Sequence, residues 1–83
     1  MRTGIRQLRQ EIRANISKTF TCSYDSGNKQ FIIRIFNASM DKDEYRDKLY
    51  VIENKLFPGQ GALLMIFVYN VAETKKYFPQ YSV

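Results

Sequence analysis

The chain has 83 residues, of which 45% are hydrophobic and 14% aromatic, and 13 lysines and arginines against 8 acidic residues give a net charge of +5. This composition predicts a packed core and excludes a largely disordered chain. The single cysteine excludes an intramolecular disulfide, and the apolar run 62–69 is too short to span a bilayer. With no signal peptide evident, we predict one cytoplasmic domain over residues 1–83, in which 78–83 can form a flexible tail.

The first predicted element is an amphipathic helix that Thr3 caps and that runs to about Ile16 or Lys18. Residues 20–24 then alternate between apolar and polar side chains, which indicates a strand. Residues 25–28 form a turn cluster, and residues 30–36 are rich in β-branched and aromatic side chains. Together these segments predict a β-hairpin, whose second strand is broken at Asn37-Ala38-Ser39.

A second helix is predicted to start at Asp41, with Glu44 completing a capping box. Pro58-Gly59 ends this helix. Its narrow apolar stripe consists of Tyr45, Leu49, Ile52 and Leu56.

The almost unbroken apolar run 62–69 predicts a third strand that is buried on both faces. A short helix around 72–77 follows, and Pro79 ends it. The strands on either side of the second helix should run parallel through a right-handed crossover. The predicted fold is therefore α+β, in the order α-β-β-α-β(-α), with a three-stranded mixed sheet and two helices on one face.

Two alternating sets of side chains on the middle strand could face the helices. One set is Phe31, Ile33 and Ile35, and the other is Ile32, Arg34 and Phe36. Both sets are largely apolar, so the pattern leaves the choice open. Whichever set does not face the helices would face water, the C-terminal segment or another molecule.

The element order and several local stretches resemble the BolA-like family, a relative of the type II KH domain. The stretches are residues 25–26, 44–50, 61–65 and 71–73. The resemblance implies the fold, and for the family it implies an iron–sulfur cluster shared with a monothiol glutaredoxin. Here Gly61 stands at the family's histidine position, Cys22 lies near its hairpin position, and Gly59-Gln60-Gly61 is shorter than the KH Gly-x-x-Gly motif. We therefore predict no bound cofactor and no metal.

The feature that points most clearly to a ligand is a row of arginines on the first helix, within roughly 60° of one another around its axis. The row consists of Arg2, Arg6, Arg9 and Arg13. These arginines could bind phosphates, with Lys18, Lys29 or Arg34 joining them. Alternatively they form a solvated flank whose stems cover the edges of the core.

No catalytic motif is complete. Histidine, the usual proton shuttle near neutral pH, is absent, and Cys22 has no neighbouring base in the sequence. The acidic residues at the start of the second helix offset its dipole and alternate with basic ones. We therefore predict that the chain is not an enzyme.

The leading functional prediction is a small non-catalytic regulator that binds nucleic acid through Arg6, Arg9 and Arg13, with Arg2 and Arg34 as further candidates. The alternative is a protein-interaction module, such as an adaptor, a regulator or a mobile-element inhibitor. It would use the sheet face or the aromatic tail 75–81 on an acidic protein surface or in a homodimer. The tail could instead cover the open face of the sheet through Tyr77 and Phe78.

Overall fold

The computed structural model describes residues 2–60 and 63–83, and side chains are described from Gly4 onward outside that gap. The helices and strands, in chain order, are α1 (Arg2–Asn15), β1 (Phe20–Asp25), β2 (Gln30–Ala38), α2 (Lys42–Leu56), β3 (Leu64–Asn70) and α3 (Val71–Tyr77), followed by a 3-10 turn (Pro79–Tyr81). The sheet order is β1-β2-β3, with β1 antiparallel and β3 parallel to β2. The predicted α+β fold with a three-stranded mixed sheet is confirmed.

The helix starts differ from the prediction. Because α1 begins at Arg2, Thr3 lies inside the helix and does not cap it. Asp41 does precede α2, but its side chain makes no capping hydrogen bond. The Glu44 N–H that the Asp41 side chain would accept from donates instead to the Asp41 main-chain oxygen, at 3.1 Å. The predicted capping box is therefore wrong for α2.

A capping box does form at α3, where the sequence analysis placed none. The Glu73 N–H donates to Asn70 Oδ1 at 2.8 Å, and the Asn70 N–H donates to Glu73 Oε1 at 3.0 Å. The main-chain hydrogen bond lowers the pKa of Glu73 below its ordinary value. This reciprocal pair fixes the point at which β3 turns into α3.

One face of the sheet carries the core. Phe31, Ile33 and Ile35 of β2 face the helices and are at most 2% exposed. The predicted apolar stripe of α2 packs there, with Leu56 half-buried, and α1 contributes Leu8 and Ile12. Burying these faces together is the main source of stability for so small a domain.

β2 continues through Ala38, so the predicted break at Asn37 is wrong. The pairing with β3 shifts register between Ile35 and Ala38, and Asn37 adopts a left-handed backbone with φ of 56°. Asparagine tolerates that conformation better than most residues, which permits a bulge where a break was expected.

The opposite face of the sheet is open at one end and covered at the other. Phe36 is buried there because Tyr69, Phe78 and Tyr81 pack against its ring, with Tyr81 stacked at 4.4 Å between centroids. Asn37 Nδ2 donates to the Tyr81 carbonyl oxygen at 2.8 Å and so ties the C-terminal segment to the sheet.

The uncovered end of that face contradicts the prediction that the third strand is buried on both sides. Met65 and Phe67 of β3 are each 37% exposed. Of the two residues expected to cover the face, Phe78 packs on it, whereas Tyr77 is 59% exposed. Within the described residues, the C-terminal segment covers only the end of the sheet that holds Phe36.

Candidate functional site

Arg9 and Arg13 of α1 lie along β1, one of the two edge strands of the sheet. Arg13 stacks over the Phe20 ring, with 5.6 Å between the guanidinium carbon and the ring centroid. One turn earlier on the helix, Arg9 donates from Nε at 3.1 Å and from Nη2 at 2.7 Å to the Cys22 carbonyl oxygen. These two contacts show that α1 runs antiparallel to β1.

The Cys22 carbonyl is available to Arg9 because it points away from the sheet. The Phe36 N–H donates to the Thr19 carbonyl at 3.0 Å, so Thr19 faces β2. In an antiparallel pair, residues that bond the partner strand alternate with residues that do not. The main-chain groups of Phe20, Cys22 and Tyr24 therefore point to the free edge, and Arg9 covers the middle one.

A groove with a volume of about 410 Å³ runs along this side of α1. Its lining residues are Ile5, Arg6, Arg9, Gln10 and Arg13. Across the residues that the structure describes, none of the three arginines forms an ion pair. Glu11, the acidic residue of α1, is held on another side of the helix, where its Oε1 lies 3.2 Å from Lys55 Nζ of α2. The groove thus presents positive charge without a paired carboxylate.

The five predicted arginines do not form one site. Arg6, Arg9 and Arg13 share the groove, but Arg34 lies on the open face of the sheet, opposite the helices. Its guanidinium carbon is 5.4 Å from the centroid of the Phe67 ring. The side chain of Arg2 lies outside the described residues. Which face of β2 is buried could not be derived from two alternating apolar sets, so the placement of Arg34 was not predictable.

A second cavity, also of about 410 Å³, opens beyond the N-terminal end of the groove. Its lining residues are Gly4, Tyr24, Lys29, Phe31, Phe57, Gln60 and Leu63. No local sequence pattern reveals this cavity, because its walls come from α1, both hairpin strands and the segment after α2. A glycine on the apolar side of an otherwise good helix, Gly4, was the one local signal.

Cys22 does not fit an iron–sulfur cluster. Its side chain is 6% exposed on the helix face of β1, and burial raises its pKa to about 11, with the Arg9 charge opposing that shift. A cluster ligand must be an accessible thiolate with partner ligands. Among residues 4–60 and 63–83, no group of three or more histidine, cysteine or acidic side chains is placed to hold a metal ion. The Gly61 position lies outside the described residues.

No protein-family model, curated protein or solved structure matches this chain. Over the part of the chain that the structure describes, no helix is both long and apolar enough to cross a membrane. The geometry of the site therefore carries the functional argument.

Proposed function

We propose that this chain is a non-catalytic cytoplasmic regulator that binds nucleic acid through the groove along α1. The observation that carries the proposal is that Arg6, Arg9 and Arg13 line one groove with no carboxylate paired to them. Guanidinium groups in this arrangement favour phosphate oxygens, which accept two parallel N–H donors. The net charge of +5 adds a long-range attraction for a polyanion.

The length of the groove sets how many phosphates it contacts. Arg6 and Arg13 are separated by seven residues of helix, or about 10 Å along the axis at 1.5 Å per residue. Three guanidinium groups over that length can contact at most three phosphates of one strand, one each.

The three arginines have different roles in this proposal. Arg9 already donates to the Cys22 carbonyl, so it contributes charge and holds α1 against β1. Arg6 and Arg13 are exposed and make no side-chain hydrogen bond within the described part of the chain. They supply the direct phosphate contacts, with Arg13 oriented by the Phe20 ring.

The salt dependence of binding to a single-stranded oligo-dT of about eight nucleotides tests this function. Three arginine charges that neutralise three phosphates of a single strand give a log–log slope of about −2, so affinity should fall about twentyfold between about 50 and 200 mM salt. Arg6→Gln with Arg13→Gln should reduce the slope to about −0.7, because one charge remains. A slope that is unchanged in the double variant would contradict the proposal, provided its circular dichroism matches that of the wild type.

A second candidate function is a protein-interaction module that uses the open end of the sheet. Met65 and Phe67 are exposed there around Arg34, and aromatic and apolar side chains of this kind anchor protein interfaces. Sedimentation equilibrium tests the homodimer form of this candidate. Dimerisation that Phe67→Ser abolishes would support it, and a monomer at every concentration would exclude it.

A further inference from the structure

The aromatic cavity lies past the N-terminal end of the arginine groove, and no described residue lines both. Because α1 and β1 are antiparallel, Arg13 meets Phe20 and Arg9 meets Cys22, so Tyr24, which lines the aromatic cavity, lies toward the N-terminal end of α1. Ile5 lines the groove and Gly4 lines the aromatic cavity, but at about 100° per residue Gly4 faces nearly opposite to the three arginines. A chain lying along the groove therefore reaches the cavity only by turning at the N-terminal end of α1, toward Tyr24 and Lys29.

Three aromatic rings form the walls of this cavity. The Tyr24 and Phe31 rings meet edge to face, with centroids 5.0 Å apart and planes at 61°. The Phe31 and Phe57 rings are stacked, with centroids 5.4 Å apart and planes at 23°. Such surfaces suit a flat ring, which stacks on one wall and meets the edge of another.

Glycine at position 4 keeps this space open. A Cβ built there would lie 3.1 Å from Phe57 Cε1 and 4.0 Å from Phe31 Cζ. In a helix interior alanine is favoured over glycine by about 1 kcal/mol, but here an alanine side chain would crowd the Phe57 ring. The backbone of α1 therefore lies close to the rings.

The polar residues of the cavity are positively charged or neutral. Lys29 and Gln60 are exposed and line it, together with Leu63. Among the described residues that line it, none is acidic. An occupant that is flat, aromatic and joined to negative charge matches both the walls and the groove beside it.

We propose that this cavity receives one unstacked base of a single-stranded nucleic acid whose phosphates lie along Arg6, Arg9 and Arg13. This inference rests on the proposed function and adds the class of nucleic acid and a base-binding site to it. The volume of about 410 Å³ lies within the range of small-ligand pockets. A second copy of the chain fits less well, because it would bring another +5 charge toward Lys29 and the arginine groove.

Two octamers of equal charge separate base binding from phosphate binding. One is oligo-dT of about eight nucleotides, and the other has the same backbone with every base replaced by an abasic tetrahydrofuran unit. Each is titrated into the isotopically labelled chain at about 50 mM salt, and amide shifts are followed by NMR. Groove amides (Arg6, Arg9 and Arg13) and cavity amides (Gly4, Tyr24 and Lys29) are monitored separately.

Both octamers should shift the groove amides, but only oligo-dT should shift the cavity amides. Oligo-dT should also bind about fivefold or more tightly than the abasic octamer, because stacking one base contributes about 1 kcal/mol or more. Equal affinities with identical cavity shifts would overturn the base-binding site while leaving phosphate binding intact. If neither octamer shifts the groove amides, the proposed function itself fails. Cavity shifts that depend only on protein concentration would assign the cavity to a second copy and overturn the inference.

Tyr24→Leu provides an independent test, since it removes one aromatic wall and keeps an apolar side chain. Its affinity for oligo-dT should fall about fivefold, while its affinity for the abasic octamer should stay at the wild-type value. The abasic octamer thus reports whether the variant is folded and its groove intact. An equal loss for both octamers, or no loss for either, would contradict a stacking role for Tyr24.

Discussion

Arg9 is predicted to stabilise the fold through its bond to the free edge of β1. Replacing it by methionine keeps an unbranched apolar stem and removes both donors to the Cys22 carbonyl, at 3.1 and 2.7 Å. The same change at Arg6 removes an equal charge from the same helix, but no side-chain hydrogen bond within the described residues is lost. Arg6→Met is therefore the matched control.

The loss of stability in Arg9→Met depends on what bonds the Cys22 carbonyl oxygen once the guanidinium is removed. Hydrogen bonds from charged donors contribute about 1.5–3 kcal/mol each, but a carbonyl at a free edge regains water when Arg9 is removed. Because that hydration offsets part of the loss, we expect the pair of bonds to contribute about 1.5 kcal/mol. For a domain of this size, the corresponding fall in Tm is roughly 6–12 °C. Arg6→Met should change stability by less than about 0.5 kcal/mol.

Thermal and urea unfolding, followed by circular dichroism, measure both variants. The urea midpoint should fall in Arg9→Met at an unchanged slope, because the surface exposed on unfolding stays the same. Equal midpoints for the two variants would refute the reasoning, since charge and stem alone would then account for the effect. Arg9→Lys should recover only part of the loss, because an ammonium lacks the planar fork of the guanidinium.

Three further predictions concern other parts of the fold. With the pKa of Cys22 raised to about 11 by burial, its thiol in the native state should react with a disulfide reagent about a hundredfold more slowly near pH 8 than in the urea-unfolded chain; equal rates would contradict this. The lowered pKa of Glu73 means that its stabilising effect is present above the ordinary carboxyl pKa and is lost as pH falls through the lowered value. Urea midpoints measured from about pH 5 to pH 3 should therefore fall less in Glu73→Gln than in the wild type. Phe36→Leu should lower the free energy of unfolding by about 1–1.5 kcal/mol. It should also speed hydrogen exchange at the Tyr81 amide, whose N–H donates to the Phe78 carbonyl oxygen. Unchanged exchange would show that the Phe36 ring does not hold the C-terminal segment.

The hairpin and the central helix were predictable because their patterns are local. Phe20, Cys22 and Tyr24 repeat every second residue, and the stripe from Tyr45 to Leu56 repeats at helical spacing, so each pattern fixes its own element. The order of the elements then predicted that β3 runs parallel to β2, as the structure shows.

The capping and burial errors have specific physical causes. Capping-box spacing occurs at both Asp41 and Asn70, but the Asp41 main-chain oxygen accepts the Glu44 N–H and leaves its side chain without that partner. Spacing alone does not report that competition. The exposure of Met65 and Phe67 depends on how far the C-terminal segment extends over the sheet, which is a tertiary property.

Only part of the candidate site was predictable from the sequence, because only the arginine row follows a local pattern. The row of arginines follows from helical spacing, so Arg6, Arg9 and Arg13 could be grouped from the sequence. The aromatic cavity joins Tyr24, Phe31 and Phe57, which come from three separate segments, and no local pattern links them.

The most direct test of the account compares two variants of equal charge for binding to oligo-dT at about 50 mM salt. Arg6→Gln with Arg13→Gln removes two charges from the groove, and Lys75→Gln with Lys76→Gln removes two from the exposed end of α3. If the groove is the binding site, the arginine pair should lose about tenfold or more in affinity and the lysine pair less than about twofold. Equal losses in the two variants would show that net charge alone attracts the nucleic acid, and would contradict a binding site on α1.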